Sequence, residues 1–458
     1  MNSTALLALT TAVFGCTAGC YLSHGRDAPP AERDASRGPP DARSPARDAA
    51  PPIPASDAGA PPLPPLPDDE PDVEPGERPS DDPSASEWTD PPSGSGSCCV
   101  VGDVVGLDDI TRQASPPQVA WDGAEWGVAW RDHFSPATTE GDPSRTMFRR
   151  LAAEARPAIE AVVVDSVGAS PTGMAYGNSR FGVVTRTGRD GVEPGRLFVV
   201  DREGRLRDEA AFPSLFGGVA ITRHRAVHGW ATVATERDPE GDGRTRAHLV
   251  VYDEALGEIA RRALESLSTE GAASAVVSSK SALVVASGEP SAVIHTYVTT
   301  SIEEIDATDV GPLGSELAGA AFRDTAVFAG RSYARGPLRT VVWDPFERRV
   351  LSPPQIVAPT TSGQGLGIAA DSIGGTLGVC YPTGGVDGIR DADALTFFLI
   401  GPDGARIGEP VVIASGFRYV ATCAVAAASR DTYVVVWWNA AWDSPRHSIL
   451  AARVTVRR

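Results

Sequence analysis

A motif of paired apolar runs returns seven times between residues 118 and 438, and it constrains the fold more than any other feature of the chain. The copies read QVAWDGAEWGVAW from Gln118, GMAYGNSRFGVVTR from Gly173, GVAITRHRAVHGWATVAT from Gly218 and ASAVVSSKSALVVAS from Ala273. LAGAAFRDTAVFAGR from Leu317, LGIAADSIGGTLGVCY from Leu366 and VATCAVAAASRDTYVVVWW from Val420 complete the set. Copies start about 45 to 55 residues apart, and each joins a small or β-branched run to a second run through Gly, Asp, Asn or Ser. A third apolar run follows most pairs, as at 197–200 and 338–343, and often a fourth, as at 162–167 and 411–414. Helical periodicity is hard to find, and four short strands per unit fit the spacing.

One such unit exposes both faces of its sheet, so units must pack on one another, and a ring of them leaves no unit uncovered. The sequence therefore predicts an all-β fold over 98–458, a seven-bladed β-propeller of four-stranded antiparallel blades. Small residues in the first run of each copy suit the crowded centre. Trp126, Trp130, Trp230 and Trp437 suit the wider space between blades. The seventh unit has room for only three strands before the chain ends, so its outer strand must come from elsewhere. Residues 99–105, CVVGDVV, just before the first copy, are the natural donor, and pairing them with the last strand would clasp the ring.

Ahead of the repeats the composition changes abruptly. Residues 21–97 hold about half of the 39 prolines, with repeated Asp and Glu and few aromatics. Such a stretch cannot bury enough apolar surface to offset its ordering entropy, and it is expected to be a disordered Pro/Ala/Asp-rich linker. In extended polyproline form, at roughly 3 Å per residue, it would reach on the order of 200 Å. Residues 1–20 carry a short apolar core too brief to span a bilayer, as in a signal peptide. Small residues then precede a cysteine at two places, Val13-Phe14-Gly15-Cys16 and Thr17-Ala18-Gly19-Cys20. Both resemble the lipobox of bacterial lipoproteins, which implies a signal peptide, lipidation and a membrane anchor. Cys20 is favoured, with Cys16 the alternative, because modification at Cys20 leaves an even number of cysteines downstream.

The repeats themselves resemble the propeller-like repeat of exported bacterial lipoproteins, which reads Val-Ala-Trp-Asp-Gly, a short gap, then an aromatic and Val-Val-Ala-Trp. Residues 119–130 match it best. The resemblance implies an exported chain lipid-anchored to the cell envelope, at the outer membrane, and says little about activity. Kelch glycine pairs, a WD40 array and sialidase Asp boxes are absent from the sequence.

A net charge of −18 argues against nucleic acid as a partner, because phosphate affinity needs clustered Lys and Arg. Lys280 is the only lysine, a bias that codon usage explains as well as function does. Among chemical constellations, Asp238, Glu240 and Asp242 resemble the start of a calcium loop, but Arg246 and Leu249 stand where further ligands belong. Calcium is the one cofactor with a candidate site, set against a plain polar hairpin. His224 and His228 have four-residue spacing near a hairpin, not on a helix that would align them for a metal. Cys380 and Cys423 fall on strands of neighbouring units, where a disulfide and two buried thiols are both open readings. No nucleophile elbow or phosphate loop is present.

Two function classes remain. The repeats explain most residues structurally, which favours a non-catalytic binding or scaffolding module, a monomer, for an envelope or extracellular protein or glycan. The alternative is a propeller-type glycan hydrolase or lyase, which would need carboxylates with Arg or Tyr inside the central funnel. For a binding module the candidate contacts are polar residues at the ends of the second strands, which a ring would gather on one rim. They are Arg131, Asp132, Arg186, Arg189, Asp190, Glu236, Arg237, Arg331, Tyr381, Asn439 and Trp442. Arg with Trp and Tyr is the mixture enriched in binding hot spots, although solvated hairpins are polar in any β-protein.

Overall fold

The computed structural model describes residues 97–457 apart from short stretches, nearly all of them connections between strands: 108–112, 115–116, 134–144, 166–169, 187–194, 213–219, 238–244, 269–273, 280–281, 288–290, 300, 315, 332–335, 362–365, 371–374, 384–393, 416–419, 430 and 441–446. The expected signal peptide, Cys16, Cys20 and the linker therefore lie outside the described residues.

Seven antiparallel sheets carry the chain in sequence order, and together they form a seven-bladed β-propeller. Blade one consists of Gln118–Trp121, Trp126–His133, Arg145–Leu151 and Val162–Asp165, and a short extra strand, Gln113–Ala114, extends its inner edge. Blade two is built from Ser170–Gly177, Arg180–Arg186, Gly195–Val200 and Leu206–Phe212. Blade three follows with Ala220–His224, Gly229–Arg237, Thr245–Tyr252 and Glu258–Ser268, and blade four with Ser274–Ser278, Ala282–Ser287, Ala292–Val298 and Glu304–Gly311. Blade five holds Glu316–Phe322, Thr325–Arg331, Gly336–Asp344 and Arg349–Thr361, and blade six Gly367–Ala370, Leu377–Thr383, Ala394–Ile400 and Arg406–Ser415.

Blade seven takes its inner three strands from the C-terminal end, Val420–Ser429, Thr432–Ala440 and His447–Val456, and its outer strand from Cys99–Gly106. The register runs from Cys99 opposite Val456 to Gly106 opposite Leu450, with a bulge between Val101 and Val104. The clasp expected from the strand count is thus formed, and the first strand of the domain is held by the last.

Packing explains why a ring is required. The buried apolar residues fall into seven clusters, and each straddles one pair of neighbouring blades. Strand periodicity does the sorting: in blade seven Val434 and Val436 face blade one, whereas Tyr433, Val435 and Trp437 face blade six. Trp126 and Trp130 fill the joint between blades one and seven, fully buried, so the closing interface is packed as the others are. At the centre the blades crowd. A Cβ on Gly367 would lie 2.8 Å from Cys380 Sγ and 2.9 Å from the Val425 backbone nitrogen, which leaves room only for glycine.

Candidate functional site

Sheet order fixes two faces and a channel. The inner-to-second turns of all seven blades and the third-to-outer turns of blades one to six lie on one face, here called the turn face. The second-to-third connections and the crossings to the next blade lie on the opposite face, the loop face.

The channel is lined by the inner strands. Two adjoining chambers of 240 and 370 Å³ share Val119, Met174, Ile221, Val276, Gly319 and Val425, one residue from each of six blades. Their polar lining side chains are Gln118, Thr172, Thr222 and the disulfide-bonded Cys423, with the indole of Trp121. Among the described residues no Asp, Glu, Arg, His or Tyr lines either chamber. Glycoside hydrolysis by the common route needs two carboxylates flanking the bond, and the described channel wall supplies neither.

On the turn face, short hairpins are closed by carboxylates acting on their own backbones. Asp122 Oδ1 accepts from the Ala124 and Glu125 amides at 2.8 and 2.7 Å, and Asp201 Oδ1 accepts from Glu203 and Arg205 at 2.9 and 2.8 Å. Asp253, Asp344 and Asp403 cap further turns in the same way. These are Asx-type turns, the reason Asp recurs where strands reverse. The hydrogen bonds to Arg205 and Glu203 and the Arg207 guanidinium hold the Asp201 carboxyl below its ordinary value, against burial, which raises it.

Several turns also brace the next blade. Arg202 of blade two donates through Nη2 to the Asp122 carbonyl at 3.0 Å and the Tyr176 hydroxyl at 2.9 Å, and its Nε lies 3.1 Å from the Asp122 carboxylate. Arg150 pairs with Glu125 and donates to the Arg202 carbonyl at 2.7 Å, so four charges and a phenol knit blades one and two. The Tyr176 hydroxyl and the Asp122 carboxylate raise the Arg202 guanidinium above its usual value. Elsewhere Arg223 donates to Asn178, Gln355 and Thr340 donate to the carbonyls of Asp403 and Gly404, and Thr376 bonds Tyr433, each across a blade boundary. Nothing in the repeat motif pointed to this network; the recurring Asp at strand reversals was the one signal available.

The loop face receives the ends of the second strands, as the sequence implied. Arg131 and Asp132 are half-buried there, opposite Thr146 and Arg145. Arg186 stands opposite Ser170, Glu236 and Arg237 opposite Arg246 and Thr245, and Asn439 between Val420 and Ser448. Two residues differ from the expected exposed rim. Arg331 is only 1% exposed, and its Nε donates to Glu316 Oε2 at 2.6 Å across the inner strand pair. Tyr381 is buried with its ring edge-on to Phe398, and burial pushes its phenol up to about 12. Both support the rim from within, because the side chain at each position points into a blade interface and not to solvent. Arg189, Asp190, Trp442 and the calcium candidates Asp238, Glu240 and Asp242 lie outside the described residues.

Cys380 and Cys423 form a disulfide between blades six and seven, with Cα atoms 6.5 Å apart. His224 is fully buried, while His228 is exposed in the following turn. Among the described residues no group of three or more His, Cys, Asp or Glu is arranged to hold a metal.

No family model and no curated protein matches the chain. Solved structures do. The WD40 repeats of RRP9 superpose with a TM-score of 0.50 at 10% identity, covering 78% of this chain and 98% of that one. A protein of unknown function from Dyadobacter fermentans gives 0.46 at 11% identity, over 79% of this chain and 100% of its own. A subtype N10 neuraminidase-like protein from a little yellow-shouldered bat influenza virus gives 0.42 at 10%, over 78% and 99%. At such identities the likeness to the WD40 ring is one of fold alone.

Proposed function

We propose that this ring is a non-catalytic binding or scaffolding module on an exported, lipid-anchored chain, and that its loop face takes an envelope or extracellular protein or glycan. The observation that carries the reading is the division of polar chemistry. The described channel wall lacks acid, base and cation, and on the turn face Asp122, Arg150 and Arg202 are engaged in holding turns and neighbouring blades together. What remains for recognition is the opposite face, where Arg131, Asp132, Arg186, Glu236 and Arg237 end strands of a rigid scaffold. Binding residues concentrate on connections held in this way. The lipid anchor at Cys20 rests on the sequence.

The test replaces Arg131 and Arg186 by Ala and leaves the buried Arg331 in place. Charge-assisted hydrogen bonds contribute about 1.5–3 kcal/mol each, so partner retention from envelope extracts should fall roughly tenfold or more per arginine. Thermal unfolding should move little. Full retention by a folded double variant would refute the loop-face reading.

A further inference from the structure

The clasp begins with two adjacent cysteines, and both are free. Neighbouring side chains of a regular strand leave opposite faces. Here a bend at Cys98 precedes the strand that starts at Cys99, and both side chains turn inward, 8% and 1% exposed, into the cluster between blades six and seven. The neighbouring Cys99 side chain holds the Cys98 thiol below its ordinary value against the opposing effect of burial, helped by the Leu399 backbone and the Arg406 guanidinium. The Cys98 side chain, with burial, pushes Cys99 up. The backbone of Cys98 is a three-way joint: its N–H donates to the Glu409 carbonyl of blade six at 3.1 Å, and its carbonyl accepts from the Arg457 amide at 2.9 Å.

We infer that Cys98 and Cys99 form a redox-active vicinal dithiol, a modification site for small disulfides, at the joint where the chain closes its ring. Adjacency and the shared inward orientation supply proximity. Cys98, 8% exposed against 1% for Cys99, is the member a small disulfide meets first, and its thiolate is the nucleophile. In the exchange the Cys98 thiolate attacks one sulfur of a small disulfide, forms a mixed disulfide and expels one thiolate. That thiolate takes the proton of Cys99, whose sulfur then attacks Cys98 and expels the second small thiolate, which is protonated by the Cys98 proton released to solvent at the start. Two protein thiols and one small disulfide become one protein disulfide and two small thiols.

Geometry also says why the couple would be labile. Adjacent Cα atoms are about 3.8 Å apart across a trans peptide and about 2.9 Å across a cis one, short of the roughly 4.4–6.8 Å that an unstrained disulfide spans. The Cys380–Cys423 bridge, at 6.5 Å, lies within that range. Strained disulfides are the more easily reduced and exchanging ones. Closing the eight-membered ring must turn the Cys98–Cys99 peptide, which moves the Cys98 carbonyl away from the Arg457 amide and disturbs the pairing of Cys99 with Val456. Oxidation would therefore loosen the clasp while leaving the inner disulfide intact.

The experiment equilibrates the full chain in glutathione buffers of rising potential, alkylates the remaining thiols under denaturing conditions and maps the Cys98–Cys99 peptide by mass. The expected result is loss of two hydrogens within that peptide, at a potential well above that which reduces Cys380–Cys423. It is accompanied by a fall in Tm of about 2–4 °C that reverses on reduction. Cys99→Ser should instead hold one glutathione on Cys98. If Cys99→Ser does not fold, the wild-type titration decides alone. Two thiols still alkylatable at the most oxidising potential, or a bridge from either of them to Cys380 or Cys423, would overturn the inference. The outcome is independent of what the loop face binds.

Discussion

The two faces of the ring are made by the same strands, yet they spend their polar residues differently. On the turn face Asp122, Asp201, Asp253, Asp344 and Asp403 close hairpins through their own backbones, and Arg150, Arg202 and Arg223 reach to other turns and the next blade. On the loop face the second strands end in Arg131, Asp132, Arg186, Glu236 and Arg237, ahead of connections as long as residues 134–144 and 384–393. One end of the ring is cross-braced, and the other gathers the polar ends of the second strands. Under the proposed function, the contrast means that a repeat separates stability from recognition by strand direction. Arg331 marks the boundary of the rule: it belongs to the loop face by position, but its burial against Glu316 makes it part of the brace.

The sharpest way to break the contrast is to remove the central carboxylate of the turn face. Asp122 is buried, caps its own turn and faces Arg202 and Arg150. Asp122→Ala would leave those cations without their shared partner and the turn uncapped, at a cost of about 3 kcal/mol in urea unfolding. Arg131→Ala on the other face should change the same measurement by much less. Equal losses would show that the faces do not divide stability as described.

A smaller effect should appear with pH. His224 ends the inner strand of blade three at the turn face, where it is fully buried. Burial lowers its value, offset in part by the Thr299 backbone, and Arg223 and Arg225 flank it in the chain. Its folded value lies below the unfolded one of about 6.5. The neutral form therefore stabilises the fold above that pH, and the contribution is lost as pH falls toward the folded value, because the unfolded chain takes up the proton first. Tm should drop between pH 7.5 and 5.5, and His224→Gln should shallow the drop. An unchanged slope in the variant would assign the pH dependence to other groups.

Much of this architecture was legible beforehand, for physical reasons. Strand pairs with a turn between them are local, so seven copies could be counted, and the missing fourth strand of the last unit pointed to residues 99–105. The bracing was not legible, because its contacts are remote in sequence: Arg202 meets Asp122 across 80 residues. Nor was the burial of Arg331 and Tyr381, since alternation along a strand says that side chains change face but not which neighbour will cover each face. The rim residues could be placed on one face from strand direction. Their chemistry toward a partner depends on connections whose course the repeat does not encode.

The smallest predicted effect tests whether the turn face carries strain as well as support. Third-to-outer turns in six blades place one residue at positive φ, and the series is Ala155, Gly204, Leu256, Ile302, Arg348 and Gly404. Two copies use glycine, which adopts that backbone freely; the others accept a cost of about 1–2 kcal/mol at that position. Leu256 and Ile302 are buried and return part of that cost through packing, whereas Arg348, at φ 52, is exposed. Arg348→Gly removes the steric conflict but adds chain entropy to the unfolded state, which offsets part of the gain. The net expectation is a stabilisation of about 0.5 kcal/mol, read as a raised urea midpoint with an unchanged slope. Ile302→Gly, which relieves the same conflict at a buried site, should instead lower the midpoint. If Arg348→Gly also lowers it, the arginine is making a contact on this face that outweighs its backbone strain.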